Sequence, residues 1–188
     1  MNHCGTERLE TQRLILRRFE LRDAEAMYRN WASDPEVTRF LTWPPHTGPD
    51  VSRAVLESWV AAYARWDYYQ WAVVLKENGD EPIGSISAVK VNNDIACAHI
   101  GYCIGQAWWH RGIMTEALGA VMDLFFDRVG AERIECRHDP RNPRSGMVMK
   151  KCGMTYEGTL RRSDRNNQGI CDACWYSLLR SERKKAQP

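Results

Sequence analysis

The stretch Trp108-Trp109-His110-Arg111-Gly112-Ile113-Met114-Thr115-Glu116-Ala117-Leu118 constrains this chain more than any other, because a glycine-bearing turn there runs straight into an amphipathic helix. Leu118, Val121, Met122 and Phe125 follow the i, i+3, i+4, i+7 spacing of one buried helix face, while Glu116, Asp123 and Asp127 lie off it. The first turn of such a helix carries backbone N–H groups without intrahelical acceptors, and the macrodipole adds about half a positive charge there. A pyrophosphate can use both. Gly112 lacks the Cβ that would block close approach, and His110 and Arg111 add donors at the rim. An ordinary helix start with Gly112 in a tight turn accounts for the same residues without a ligand.

No repeat, low-complexity stretch or long linker divides the 188 residues. One domain over 1–188 is expected, with its core at about 9–179 and short flexible termini. Lysine and arginine number 26 against 24 for aspartate and glutamate, and a net charge of +2 gives no case for a nucleic-acid partner. The basic run Arg180 to Lys185 reads as a solvated, frayed tail. No apolar run approaches the roughly 20 residues a membrane span needs, and Met1-Asn2-His3-Cys4 begins no signal peptide, so a cytoplasmic protein without a membrane partner is expected. The seven cysteines, at 4, 97, 103, 136, 152, 171 and 174, form no disulfide-like framework and read as reduced thiols. Cys171 and Cys174 have C-x-x-C spacing but lie in a strand-like segment, where positions three apart face opposite ways. No metal is expected.

Arg13 to Phe19 reads as a first strand with Leu14 and Leu16 on one face, and Asp23 starts a helix to about Trp31. The proline-rich segment Leu41 to Gly48 is a loop, and Asp50 to Trp66 a second helix. Gln70–Lys76 and Pro82–Val91 form a hairpin, followed by a strand over Ile95–Gly105. Beyond the glycine-bearing helix, Arg133–His138 is a strand. Asn142, Pro143 and Gly153 supply the N-cap, first-turn and C-cap residues of another helix. Met154–Arg161 and Ile170–Leu179 complete the chain, joined by the polar turn Asn166-Asn167-Gln168-Gly169. The fold class is α+β.

Three blocks in this order resemble the GNAT superfamily of N-acetyltransferases, in particular the branch similar to ribosomal-protein N-terminal acetyltransferases. Ile100-Gly101-Tyr102-Cys103-Ile104 is similar to the family's strand before the pyrophosphate loop. Trp109 to Ala117 is similar to its W-x-x-G-x-x-T-E-A loop and helix, and Asn142-Pro143-Arg144-Ser145 with Lys151-Cys152-Gly153-Met154 to N-x-x-S and K-x-G-F. The commoner Q/R-x-x-G-x-G/A pattern is half met, since Trp109 and Met114 replace its polar first and small last residues. The resemblance implies a mixed sheet of about seven strands, splayed between strands 4 and 5, with about four helices. It implies acetyl-CoA as co-substrate, its pyrophosphate on the N–H groups of Arg111, Gly112, Ile113, Met114 and Thr115, with Trp109 and His110 beside them. Backbone near Cys103 and Ile104 would pair with the pantetheine arm, and Asn142 and Ser145 would lie by the thioester.

Acetyl transfer needs a neutral amine, a polarised carbonyl and release of a thiolate. A protein α-amine, with a pKa of about 8, needs less help than a lysine at about 10.4. His99 stands where relatives often carry a carboxylate and is the candidate base; a hydrogen-bonded strand histidine is the alternative, and Glu81, Asp94 and Glu157 are weaker candidates. Met149 stands where some family members carry a tyrosine acid, which leaves Ser145 as candidate donor to the departing sulfur. Trp43 and His46, in the loop before the second helix, are candidates for the acceptor side, or core residues beneath a loop. The expected partners are acetyl-CoA and an amine, a protein N-terminus such as a ribosomal protein's. The alternatives are a polyamine, amino acid or amino sugar as acceptor, and a non-catalytic acyl-CoA-binding regulator. A homodimer is compatible with all three.

Overall fold

Eight strands form one mixed sheet in the computed structural model, which describes residues 1–183. They are β1 (Leu9–Glu10), β2 (Leu14–Arg17), β3 (Gln70–Leu75), β4 (Pro82–Asn92), β5 (Cys97–Ile104), β6 (Arg133–His138), β7 (Thr155–Asn166) and β8 (Gly169–Leu179). Their order across the sheet is β1-β2-β3-β4-β5-β6-β8-β7. The two-residue β1, paired to β2 through Leu9 and Leu16, raises the expected strand count and moves the splay to between the fifth and sixth strands.

That splay follows from the one parallel pairing in the sheet. β5 and β6 are in register only from Cys97–Arg133 to His99–Glu135. Beyond His99 they part. From Ile100 to Ile104, β5 keeps its partners on β4 and leaves its other edge without a strand. A β-edge offers a row of N–H and C=O groups to anything extended that lies beside it.

The helices are α1 (Ala24–Met27), α2 (Pro35–Thr38), α3 (Pro49–Ala62), α4 (Ile113–Leu124) and α5 (Pro143–Lys151). α1 and α4 each continue into one π-helical turn, Tyr28–Ala32 and Phe125–Val129. Asp23 opens α1 from its N-cap position, as expected, and its buried carboxylate also pairs with Arg17, whose guanidinium holds it at 2.8 and 2.9 Å. α3 stops short of Trp66 because the Tyr63 hydroxyl turns back, donating to the Gln70 carbonyl and accepting from the Phe19 N–H.

The sheet separates two cores. α4 and α5 cover Leu14, Leu16, Trp71, Val73 and Ile100 together with Leu118, Val121 and Phe125. On the other face, α1 to α3 enclose Phe19, Met27, Trp31, Val37, Leu56 and Ala72. β3 alternates between the cores and is buried throughout, which explains its unbroken apolar run. The start of the basic C-terminal run is tied down rather than frayed. Arg180 donates to the Ala131 carbonyl at 3.0 Å, and Arg183 pairs with Asp123 and Asp127. Lys184, Lys185 and the rest of the expected tail lie outside the described residues. No described helix is long and apolar enough to cross a membrane.

Candidate active site

A cleft of about 860 Å³ opens where β5 and β6 separate. Its lining runs from Ile113, Met114 and Thr115 at the start of α4, past Tyr102, Cys103 and Ile104, to Val37, Phe40 and Leu41 around the end of α2. Met114 belongs to the core under α4, whereas Val37 belongs to the core under α1 to α3. The cleft therefore passes through the sheet and connects its two faces. Such a passage suits two substrates arriving from opposite sides.

At the α4 end, two left-handed residues wind the chain around the helix start: His110 at φ +63° and Gly112 at φ +72°. The turn presents the first N–H groups of α4 to the cleft without an intrahelical acceptor, an arrangement that suits phosphate oxygens. Trp109, His110, Gly112, Ile113, Met114 and Thr115 all line the cleft there. Trp109 is fixed by its indole N–H, which donates to the Ile104 carbonyl at 2.9 Å. Arg111 is placed differently. Its guanidinium leaves the cleft for Glu77 at 2.7 Å, and its carbonyl accepts from Arg13. Glu116, an off-stripe residue in sequence, anchors the turn. Its carboxylate accepts from the Thr11 hydroxyl, the Arg13 N–H and the Arg13 guanidinium at 2.5, 2.9 and 2.7 Å, and these donors hold its pKa below the ordinary range against the opposing effect of burial.

Helix α5 starts at Asn142 and Pro143 as expected, but neither Asn142 nor Ser145 caps it with its side chain. Asn142 occupies the N-cap position, yet its side chain makes no capping bond and lines the cleft. The Ser145 hydroxyl bonds no first-turn group and donates to the Tyr102 hydroxyl at 3.2 Å. Tyr102 in turn donates to the Ser145 carbonyl at 2.9 Å, and burial pushes its pKa well above the ordinary tyrosine value. Gly146 is required by close approach: a Cβ there would lie 2.5 Å from the His138 ring nitrogen Nε2. Arg141, Arg144 and Lys151 join the lining, and Arg144 sits over the Trp109 ring at 5.4 Å. With Arg39 they put four cations against one carboxylate, Glu36. The lining favours a polyanion.

The acetyltransferase (GNAT) domain model matches residues 13–155. The chain belongs to the GNAT acetyltransferase family. It is an acyltransferase, of the N-acetyltransferase kind. It is similar to the uncharacterized N-acetyltransferase p20 of Bacillus licheniformis, 30% identical over 176 residues, which are 94% of this chain and 98% of that protein. It is 29% identical over 142 residues to the ribosomal-protein-serine acetyltransferase of Escherichia coli, covering 74% of this chain and 76% of the relative. The fold is shared with a ribosomal L7/L12 alpha-N-protein acetyltransferase solved in complex with coenzyme A, at a TM-score of 0.82 and 19% identity, covering 94% of this chain and 100% of that one.

Within this GNAT chain the residues considered as general base and for the acceptor lie away from the cleft lining. His99 is buried between Glu135, 3.3 Å from its Nδ1, and Arg137, 3.1 Å from its Nε2, with the Trp175 ring edge-on. Burial first, and then the Arg137 charge, lower its pKa below the ordinary histidine value. A guanidinium only donates, so Nε2 accepts from Arg137 and the Nδ1 proton faces Glu135. Both ring nitrogens are engaged. Glu81 is bound by Arg29 and Asn30, Glu157 is clasped by Arg133, and Asp94 sits in the turn after β4. His46 is buried on Ser52 at 2.8 Å, with Trp43 packed against its ring at 5.2 Å. The residues not singled out from sequence were Phe40 and its neighbouring arginines, which reach the cleft from a segment far away in the chain.

Proposed function

We propose that this GNAT enzyme transfers the acetyl group of acetyl-CoA to the N-terminal amine of a protein, with ribosomal proteins the favoured class. The observation that carries the reading is the cleft itself. It joins an anion-binding helix start on one face of the sheet to an open wall on the other. In this reading the coenzyme's pyrophosphate lies on the first turn of α4 from Gly112 to Thr115, with Trp109 and His110 beside it. The pantetheine arm follows the free β5 edge at Cys103 and Ile104, and Asn142 and Ser145 flank the thioester. The turn, the bare edge and the lining cations Arg144 and Lys151 fit that shape and charge. One fold neighbour was solved with acetyl-CoA and AMP and another with coenzyme A, and the E. coli relative is a ribosomal-protein-serine acetyltransferase.

The chemistry proposed is alignment of amine and thioester with one hydrogen-bond donor for the departing sulfur. Ser145 is that donor, once its hydroxyl swings from Tyr102 toward the thiolate. A strong base is unnecessary for an α-amine with a pKa of about 8. His99, with both nitrogens engaged, acts in this reading by fixing Glu135 and Arg137 rather than by taking the amine proton. Trp43 and His46 shape the loop behind the acceptor wall.

Thiol release from acetyl-CoA, followed with peptides beginning in Ser or Ala and with polyamines, amino acids and amino sugars, tests the proposal. Turnover with the peptides is expected. Turnover confined to small amines would replace the acceptor, and coenzyme binding with no thiol release for any amine would make the chain a regulator.

A further inference from the structure

The wall of the cleft on the α1 to α3 face is built around one half-buried aromatic ring. Phe40 carries the Arg39 guanidinium at 5.3 Å and the Arg141 guanidinium at 5.9 Å from its ring centre, and all three residues line the cleft. Their charges are held in different ways. Arg141 spends its Nε and one terminal nitrogen on Asp139, whose buried carboxylate also accepts the Arg141 N–H and the Asn166 amide. Its other terminal nitrogen has no hydrogen-bond partner among the described residues. Arg39 is half exposed and, apart from the Phe40 ring, meets only the Glu36 carboxylate among the described residues, at 3.8 Å.

The β7–β8 turn fixes this wall. The Asn167 amide donates to the Thr38 carbonyl at 2.8 Å and to the Trp43 carbonyl at 2.7 Å, and its N–H donates to the Leu41 carbonyl at 3.0 Å. Asn166, the preceding residue, reaches Asp139 at 2.8 Å. One turn therefore ties the segment bearing Arg39 and Phe40 to the segment bearing Arg141. The two guanidiniums are positioned before any ligand arrives, which lowers the ordering cost of using them.

We propose that Arg39 and Arg141 select an acceptor whose amine is followed closely by a carboxylate, an acidic N-terminal peptide. This rests on the protein-N-terminus reading above. The coenzyme's phosphates have their own cradle in the first turn of α4, from Gly112 to Thr115. The arginine pair at Phe40 lines the wall at the end of α2, the side this proposal gives to the acceptor. A guanidinium with unspent donors recognises a carboxylate by paired N–H bonds, and a lysine or arginine near the acceptor amine would be repelled.

The test compares peptides Ser-Asp-Glu-Gly-Phe and Ser-Lys-Lys-Gly-Phe, both amidated at the C-terminus, with wild type and Arg39→Glu. Wild type is expected to favour the acidic peptide in kcat/KM by about tenfold, through KM, the size two solvent-facing ion pairs supply. Arg39→Glu should erase or invert that ratio while coenzyme A affinity, measured separately, stays within about twofold. Equal use of the two peptides by wild type, or a loss in Arg39→Glu that is the same for both, overturns the proposal. If only small amines are acetylated, the N-terminus reading fails on its own. The arginine pair is then judged by free serine against serine amide: preference for the free acid keeps the carboxylate contact, and equal use overturns it.

Discussion

Tyr102 and Ser145 exchange hydrogen bonds across the cleft: the tyrosine hydroxyl donates to the serine carbonyl at 2.9 Å, and the serine hydroxyl donates back to the tyrosine oxygen at 3.2 Å. The pair joins the unpaired stretch of β5 to the first turn of α5, the two sides of the opening. Tyr102, with its pKa raised by burial, stays a neutral donor at physiological pH. Its proton is committed to the Ser145 carbonyl, so the mobile proton at this point belongs to Ser145.

Ser145→Ala should lower kcat by about 10- to 100-fold and leave the KM for acetyl-CoA nearly unchanged, the pattern of a donor used mainly in the transition state. Tyr102→Phe should cost about 1 kcal/mol of stability and a smaller share of kcat. Steady-state kinetics and thermal melts of the two variants check this. An unchanged kcat in Ser145→Ala with a good acceptor would remove the serine from the reaction.

Burial holds the pKa values of His99, His46 and His138 below the ordinary histidine value, with Arg137 adding to the effect at His99. The unfolded chain takes up these protons near pH 6.5, and the folded chain resists them until lower pH. Stability from these groups is therefore fully present above about pH 6.5 and is lost as pH falls through their folded pKa values. The melting temperature should drop between pH 7.5 and 5.5, and His99→Gln should flatten part of that drop. Equal slopes for variant and wild type would contradict the buried, neutral His99. If His99→Gln also keeps kcat within about fivefold, it is not the general base.

Gly146→Ala should destabilise the fold by about 1–3 kcal/mol, because the added methyl would collide with the His138 ring. The defect belongs to that contact alone. Pairing it with His138→Ala should restore much of the loss in a double-mutant cycle by urea unfolding. Additive losses would show that the glycine is needed for another reason.

Gly112→Ala meets no close neighbour, since the nearest atom to a new Cβ is on the Arg13 side chain at 3.6 Å, but its φ of +72° penalises any L side chain by about 1–2 kcal/mol. Coenzyme A binding, measured by calorimetry, should weaken by about tenfold or more as the methyl intrudes on phosphate approach. Full affinity in a folded variant would move the pyrophosphate elsewhere.

The motif around Gly112 was legible in sequence because its work is local: a left-handed turn and a helix start need no distant partner to exist. Leu14, Leu16, Leu118 and Val121 likewise announced their shared core through spacing alone. The surroundings of His99 were illegible for the opposite reason. Its chemistry is set by Glu135 and Arg137 on the neighbouring strand, and nothing near position 99 in sequence foretells them. Arg111, adjacent to the turn and apt for a phosphate, is drawn off by Glu77 from the β3–β4 turn.

The amino-acid sequence by itself determined the α+β class, the strand and helix order and the glycine-bearing turn at the start of α4, since periodicity, glycine and capping residues act over a few neighbours. Tertiary structure alone decided that Asn166 and Asn167 lock Asp139 to the Leu41 segment, and that Phe40 stands between Arg39 and Arg141 at the cleft wall. The Asn167–Leu41 and Arg141–Phe40 contacts join residues more than a hundred positions apart, and their geometry exists only after the whole sheet has assembled and split between β5 and β6.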